Sequence, residues 1–225
     1  MKKVNSISVI GFITALLIAV LVISASVTLT LFDRGAYERL QSELGLAESA
    51  GISEEELLAN YNALIDYNSV FFNGPLSFPT LPMSEAGRIH FEEVKAIFSA
   101  FQLAMILSAA LTAFFCVLLI RKSYYRFLAI GGVLSLVIPA VVVCIIAAVG
   151  WDRFFVLFHE AFFNNDFWVF DARTDPVILL LPDEFFLNCL LRIVAGVVFS
   201  SVFLIIVPAL FRKVFVKMNK PSIKL

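Results

Sequence analysis

Four long apolar stretches, separated by polar connections of very unequal length, set the pattern of this chain. They cover residues 8–31, 96–120, 127–150 and 187–211, each close to the roughly 20 residues that carry a helix across a hydrocarbon core about 30 Å thick. Helix is the expected form, because in lipid every backbone polar group must be satisfied within its own segment. The second and third stretches are joined by Arg121 to Arg126 alone, which predicts an antiparallel hairpin. Pro139 is expected to kink the third, and Gly131-Gly132 allows a neighbouring helix to approach closely.

The other two connections, residues 32–95 and 151–186, are long enough to hold structure of their own. In the first, a short surface helix is expected through Tyr37, Leu40 and Leu44, ahead of Gly51. Ser53 followed by Glu56 then reads as a capping box, with acidic residues in the first turn where the helix dipole favours them. Leu57, Leu58, Tyr61, Leu64, Ile65 and Asn68 recur at helical spacing after it, which predicts one apolar face. Phe71 to Pro82 holds three prolines and Asn-Gly-Pro, so an irregular loop is expected, its apolar residues packed on the other long connection. Ser84 is a candidate N-cap for a helix running from Glu85 straight into the second span. That helix puts His90 about one and a half turns before the hydrocarbon, with Glu93 three residues on and on the same face.

Composition supports the same class. Of 225 residues 60% are hydrophobic and the mean hydropathy is +0.93, outside the soluble globular range, so an all-α integral membrane protein of one domain is expected. Lys2, Lys3 and the first apolar run resemble a secretory signal, with Ser24-Ala25-Ser26 in the place of a cleavage site. The run continues through Val27, Leu29, Leu31 and Phe32, and is read as a retained span.

Charge then orients the chain. Lys2, Lys3, Arg121, Lys122, Arg126, Arg212, Lys213, Lys217, Lys220 and Lys224 fall on one side with no acidic residue among them. All eighteen Asp and Glu lie in the two long connections, against six Lys and Arg, a formal excess of twelve negative charges there. By the positive-inside rule both termini are cytoplasmic and the long connections build an extracytoplasmic cap. So acidic an exposed surface disfavours nucleic acid as a partner, while the basic edge suits anionic lipid headgroups. Cys116, Cys144 and Cys189 lie within spans and read as small packing residues. Cys144 and Cys189 both fall toward the outer half, which leaves a disulfide open.

The stretch from Phe154 to Phe186 contains nine phenylalanines, Trp168, His159 and several carboxyl groups, a mixture suited to the membrane–water boundary. His90 and His159, the two histidines of the chain, are thereby placed on one side, each next to a boundary. Histidine is the side chain best suited to moving protons near neutral pH. Around the pair, Glu93 and Glu160 can orient an imidazole, and Arg88, Arg192, Tyr61, Asn62 and Asn164 can stabilise oxyanion charge. Each has a plainer reading. An interfacial histidine can be structural, Arg192 can snorkel outward to pair with an Asp or Glu, and Asn164, Asn165, Asp166, Asp171 and Asp175 can cap loop turns. The phenylalanines suit either an anchor or an acyl-chain pocket.

Other chemistries are less well matched. Two histidines and carboxyl groups can bind zinc, but the chain has no H-E-x-x-H, so no metal site is assigned. There is no G-x-S-x-G nucleophile motif, and a transport path is ill served by spans whose interior charge is Arg192 alone. A non-catalytic sensor or assembly protein with an acidic cap, and a metal-dependent membrane hydrolase, remain alternatives to an enzyme working through the histidines.

Two segments carry a resemblance. GRIHFEEVKAIF, from Gly87 to Phe98, and FHEAFFNNDFWVFDARTDPVILLLPDEFF, from Phe158 to Phe186, resemble the two histidine-bearing signatures of the lipoprotein intramolecular transacylases of bacterial cell membranes. The order of spans and loops is similar over essentially the whole chain. The resemblance implies four membrane helices with an extracytoplasmic cap and two catalytic histidines at their interface, which fall on His90 and His159. It implies as substrate a diacylated bacterial lipoprotein, whose sn-2 acyl chain moves from glycerol to the α-amine of the N-terminal cysteine, giving the lyso form. Such a reaction needs no cofactor. Tyr61, Asn62, Glu93, Asn164, Trp168, Asp171 and Arg192 are then the candidates for positioning substrate or stabilising the oxyanion.

Overall fold

The computed structural model of the chain describes residues 6–120 and 126–218. Lys2, Lys3, Arg121, Lys122, Lys220 and Lys224, which carry much of the orientation argument, lie outside the described residues, as do the side chains of Arg212, Lys213 and Lys217. Four helical stretches are long and apolar enough to cross a membrane: Val9–Leu31, Glu85–Val117, Arg126–Val149 and Asp183–Val207. They belong to α1 (Ser6–Leu31), α5 (Glu85–Ile120), the pair α6 (Arg126–Ser135) and α7 (Val137–Val149), and α9 (Asp183–Met218). Between them lie α2 (Arg34–Leu44), α3 (Leu46–Ala50), α4 (Glu54–Tyr67), α8 (Trp151–Phe162) and one turn of 3-10 helix at Pro176–Leu180.

The chain divides into two compact units. The first takes the described parts of Met1–Ser26, Ala104–Val142 and Val194–Leu225. Its core is Ile18, Val22 and Val197, with Ile23, Leu128, Leu136 and Leu204 packed around them. Close approach through small residues holds it together. A Cβ added to Gly131 would lie 2.7 Å from the Ile18 side chain and 3.0 Å from the Ala15 carbonyl oxygen, and one on Gly132 would lie 3.0 Å from the Ser201 carbonyl oxygen. The glycine pair therefore presents one backbone to α1 and the next to α9, the close contact that dispersion forces need in lipid. The Ser135 and Ser201 hydroxyls meet at 2.7 Å, and Ser201 Oγ also donates to the Val197 carbonyl at 2.6 Å.

Pro139 does interrupt the third span, but the break falls at Leu136 rather than at the proline. The ring removes an N–H and clashes with the carbonyl four residues earlier, so the strain appears one turn upstream, beside Ser135. There Leu136 N–H bonds back to Val133 in a 3-10 step.

The second unit takes Val27–Leu103 and Val143–Ile193. Local capping starts α4 and α5 as the sequence predicts: Ser53 Oγ accepts from Glu56 N–H at 3.1 Å, and Ser84 Oγ from Gly87 N–H at 3.0 Å. The short helix expected through Tyr37 is two, α2 and α3, and Tyr37 is not a surface residue. It is buried, stacked face to face on Tyr61 with centroids 3.5 Å apart, and its hydroxyl donates to the Leu180 carbonyl. Leu57, Leu64, Ile65, Val177 and Leu180 belong to the same core.

Side-chain amides pin the irregular segments. Buried Asn60 donates to Thr80 Oγ1 at 2.8 Å and accepts from the Thr80 and Leu81 N–H groups. Gln102 donates to the Asn68 carbonyl and accepts from Val70 N–H. The Phe71–Pro82 segment is irregular as expected, but only part of it packs inward. Leu76 and Phe78 are buried, whereas Phe71 is 78% exposed.

At Gly150 the backbone takes φ 84°, a conformation that side chains with a Cβ disfavour. It ends α7 and starts α8, turning an apolar span into an amphipathic helix. Replacing Gly131 by Val should overpack the α1 contact and lower stability by about 1–3 kcal/mol. A thermal-denaturation series in detergent that shows no loss would contradict the packing described.

Candidate functional site

His90 lies in the second turn of α5 and is 6% exposed, enclosed by Phe91, Phe163 and Phe170, with ring centroids 5.8, 4.8 and 5.5 Å away. His159 lies in the last turn of α8. Trp168 stacks on its ring at 4.6 Å and 28°, and Phe155 lies 4.2 Å away. The two imidazole centroids are 6.1 Å apart, in a common aromatic enclosure.

Hydrogen bonding distinguishes the two rings. His159 Nδ1 is 2.7 Å from the Phe155 carbonyl oxygen, one helical turn earlier. A carbonyl can only accept, so Nδ1 carries the hydrogen and Nε2 keeps a free lone pair in the neutral ring. Burial pushes the His159 imidazole below its ordinary pKa, and the Phe155 carbonyl, which favours the charged ring, offsets this only in part. His90 Nδ1 is buried with no hydrogen-bond partner among the described residues.

The loop after α8 brings the enclosure together. Asn165 Nδ2 donates to Glu93 Oε1 at 2.9 Å, while its own Oδ1 accepts from Phe167 N–H in an Asx turn. Asp175, 3% exposed, accepts from Ser84 N–H and from the Thr174 hydroxyl, both at 2.8 Å. Phe170 stacks on Phe91 at 5.4 Å.

Of the remaining sequence candidates, Asn164 is exposed and the others have partners of their own. Asp171 is exposed and bonds Arg173. Asn62 accepts from Arg34 at 3.0 Å. Tyr61 and Arg192 line a small cavity with Tyr37, Asp33, Phe185 and Cys189, in which the Arg192 guanidinium bonds the Asp33 carboxyl group. Arg192 therefore makes the pairing that the snorkelling alternative anticipates. All three cysteines are free. Among the described residues no three His, Cys, Asp or Glu side chains gather as a metal-binding group. Phe155, Phe163 and Phe170 are not singled out by the sequence, where the signal for them is the density of phenylalanine in their segment; Asn165, read there as a loop-capping residue, makes such a turn and also reaches Glu93.

The family model of the lipoprotein intramolecular transacylase Lit matches residues 12–186, which include both histidines and the whole aromatic loop. The chain belongs to the lipoprotein intramolecular transacylase family. It is a multi-pass bacterial membrane protein and an acyltransferase. A solved structure of the lipoprotein intramolecular transacylase Lit from Bacillus cereus is similar at 30% identity and TM-score 0.87, over 95% of this chain and 98% of that one. Structures of the same protein with one histidine replaced by arginine or by alanine are also 30% identical, with TM-scores of 0.86 and 0.84. The first covers 96% of this chain and 95% of that one, the second 92% and 94%. No curated protein matches the chain by sequence.

Because this transacylase has two histidines, selective nitrogen labelling of histidine should resolve each ring. We expect His159 to titrate with a midpoint below the ordinary value of about 6.5 and to show the Nδ1–H tautomer when neutral. An unfolded imidazole takes its proton at about pH 6.5 and the folded one only at lower pH, so this group makes folding less favourable as pH falls below that value. A midpoint at or above 6.5 would contradict the burial and the bond to Phe155.

Proposed function

We propose that His90 and His159 are the acid–base pair of the transacylase reaction, with the active site on the extracytoplasmic face, residues 32–95 and 151–186 forming the cap, and both termini cytoplasmic. The reaction itself follows from family membership: the sn-2 acyl chain of the diacylglyceryl cysteine of a bacterial lipoprotein moves to the cysteine α-amine, giving the lyso form. The observation that carries the proposal is the 6.1 Å separation of two imidazoles inside a single aromatic enclosure. The orientation is supported by the ten Lys and Arg residues that have no acidic residue among them and that the sequence pattern sets apart from the two acidic connections.

His159 is the better base. Its Nδ1–H is engaged by Phe155, its Nε2 lone pair is free, and burial keeps the ring neutral near pH 7. It takes a proton from the α-ammonium, and the nitrogen lone pair then attacks the sn-2 ester carbonyl carbon. The tetrahedral intermediate places negative charge on the carbonyl oxygen, where an N–H of His90 can donate. As the carbon–oxygen bond to glycerol breaks, an imidazolium returns a proton to the departing oxygen. The nitrogen loses two protons overall: one ends on the glycerol hydroxyl and one passes to water.

The phenylalanines and Trp168 have two roles in this scheme. They hold the imidazoles in register by ring packing, and they exclude the water that would hydrolyse the ester. Acyl donor and amine belong to one molecule, so bringing them together in a dry enclosure supplies much of the rate.

Replacing either histidine by Gln should lower conversion to the lyso form by at least about 10²-fold while the protein stays folded. Mass spectrometry of a lipoprotein N-terminal peptide measures this directly, and full activity in either variant would sink the assignment. Wild-type activity should also fall on the acid side as His159 protonates, with a midpoint below about pH 6.5.

A further inference from the structure

One carboxyl group beside the histidines is left half-bonded. Glu93 follows His90 by three residues on α5, so their side chains share a helix face. Its Oε1 accepts from Asn165, which lies on the same loop as Phe163 and Trp168, the residues packed on His90 and His159. Its Oε2 is buried and has no hydrogen-bond partner among the described residues.

Among the described residues no cation pairs with it. The nearby basic side chains are committed elsewhere, Arg88 to Glu85 and Glu92, and Lys95 to the Phe72 carbonyl and the Tyr67 ring. A buried carboxyl oxygen without a donor is costly to keep, and a ligand that brings an N–H, above all a charged one, removes that cost. A carboxylate offers nothing to an ester carbonyl or an ether oxygen. Of the groups next to the reacting ester, the one cation is the α-ammonium of the lipidated cysteine.

We propose that Glu93 Oε2 is the receptor for this α-ammonium and makes the enzyme selective for lipoproteins with a free N-terminal amine. The inference rests on the transacylase reading and adds the group that recognises the acceptor nitrogen. Glu93 accepts one N–H and takes no proton, and the remaining N–H bonds are left for the base. Once the amide has formed, the nitrogen is neutral and keeps a single N–H. The attraction to Glu93 is then lost, which favours release of the lyso product.

The test uses the full-length enzyme in detergent micelles and two synthetic diacylglyceryl lipopeptides, one with a free α-amine and one with that amine replaced by hydrogen. The wild-type enzyme should bind the amine form at least about tenfold more tightly than the des-amino form. Glu93→Gln preserves size and the Asn165 contact, and should reduce that preference to less than about threefold. It should leave des-amino binding unchanged and raise KM for the amine substrate more than it lowers kcat. Persistence of the preference in Glu93→Gln, or equal loss of both ligands, would overturn the proposal. Equal affinity of the wild-type enzyme for the two lipopeptides would overturn it without any variant. Binding is read independently of turnover, so active His90→Gln or His159→Gln enzyme would refute the acid–base pair and leave this result separately interpretable.

Discussion

The buried carboxyl group of Asp175 fastens the loop after α8 to Ser84, the residue that caps α5, 91 positions earlier in the chain. Bonded to Ser84 N–H and to the Thr174 hydroxyl, it fixes where that loop can run. Gly87 lies directly against it: a Cβ there would come within 2.3 Å of Asp175 Oδ1 and 3.2 Å of the Phe170 ring. Phe170 in turn packs on Phe91 and His90. Leaving such a carboxyl group unbonded in the interior would be costly, so the polar latch selects one loop path. The aromatic rings then fill the space that path defines.

A second polar centre does different work. Asp33 caps α2 through Ala36 N–H and also bonds the guanidinium of Arg192. Tyr37 and Tyr61 stack beside it with Phe185 edge-on to both. Among the described residues, Tyr61, Asn62 and Arg192 make no hydrogen bond or ring contact to either histidine. The polar residues near the apolar boundary thus sort into two groups with separate partners. One organises the start of α2 against α9, and the other surrounds the imidazoles.

Features set by local rules were legible in the chain. The four apolar helices follow from length and hydropathy, and the starts of α4 and α5 from Ser53 and Ser84, whose hydroxyls accept where a capping residue must. The Gly131-Gly132 contact follows from the absence of side chains, although which helix each glycine meets does not. Other features depended on distant partners. Tyr37 looked like a surface residue because its own segment is polar, yet Tyr61 and the Leu180 carbonyl bury it. Helix α8 was hidden by the aromatic content of its segment, which masks the one-turn spacing of Trp151, Phe155 and His159 along one face. The exposed Phe71 shows the same limit in reverse, since apolarity alone does not reveal which phenylalanines find a core.

Taken by itself, the sequence determined the class of protein, the number of apolar helices, the separation of acidic from basic connections along the chain, and the two histidines as the groups able to move protons near neutral pH. These are consequences of composition and spacing along one segment at a time. Only the tertiary structure decided that the rings stand 6.1 Å apart, that Phe155 selects the His159 tautomer, and that Asn165 reaches Glu93 from 72 positions away. The physical reason is that such distances depend on the course of a loop between helices. That course is set by long-range contacts, a buried carboxyl group and interlocking rings, and none of these leaves a periodic mark in the segment that carries it.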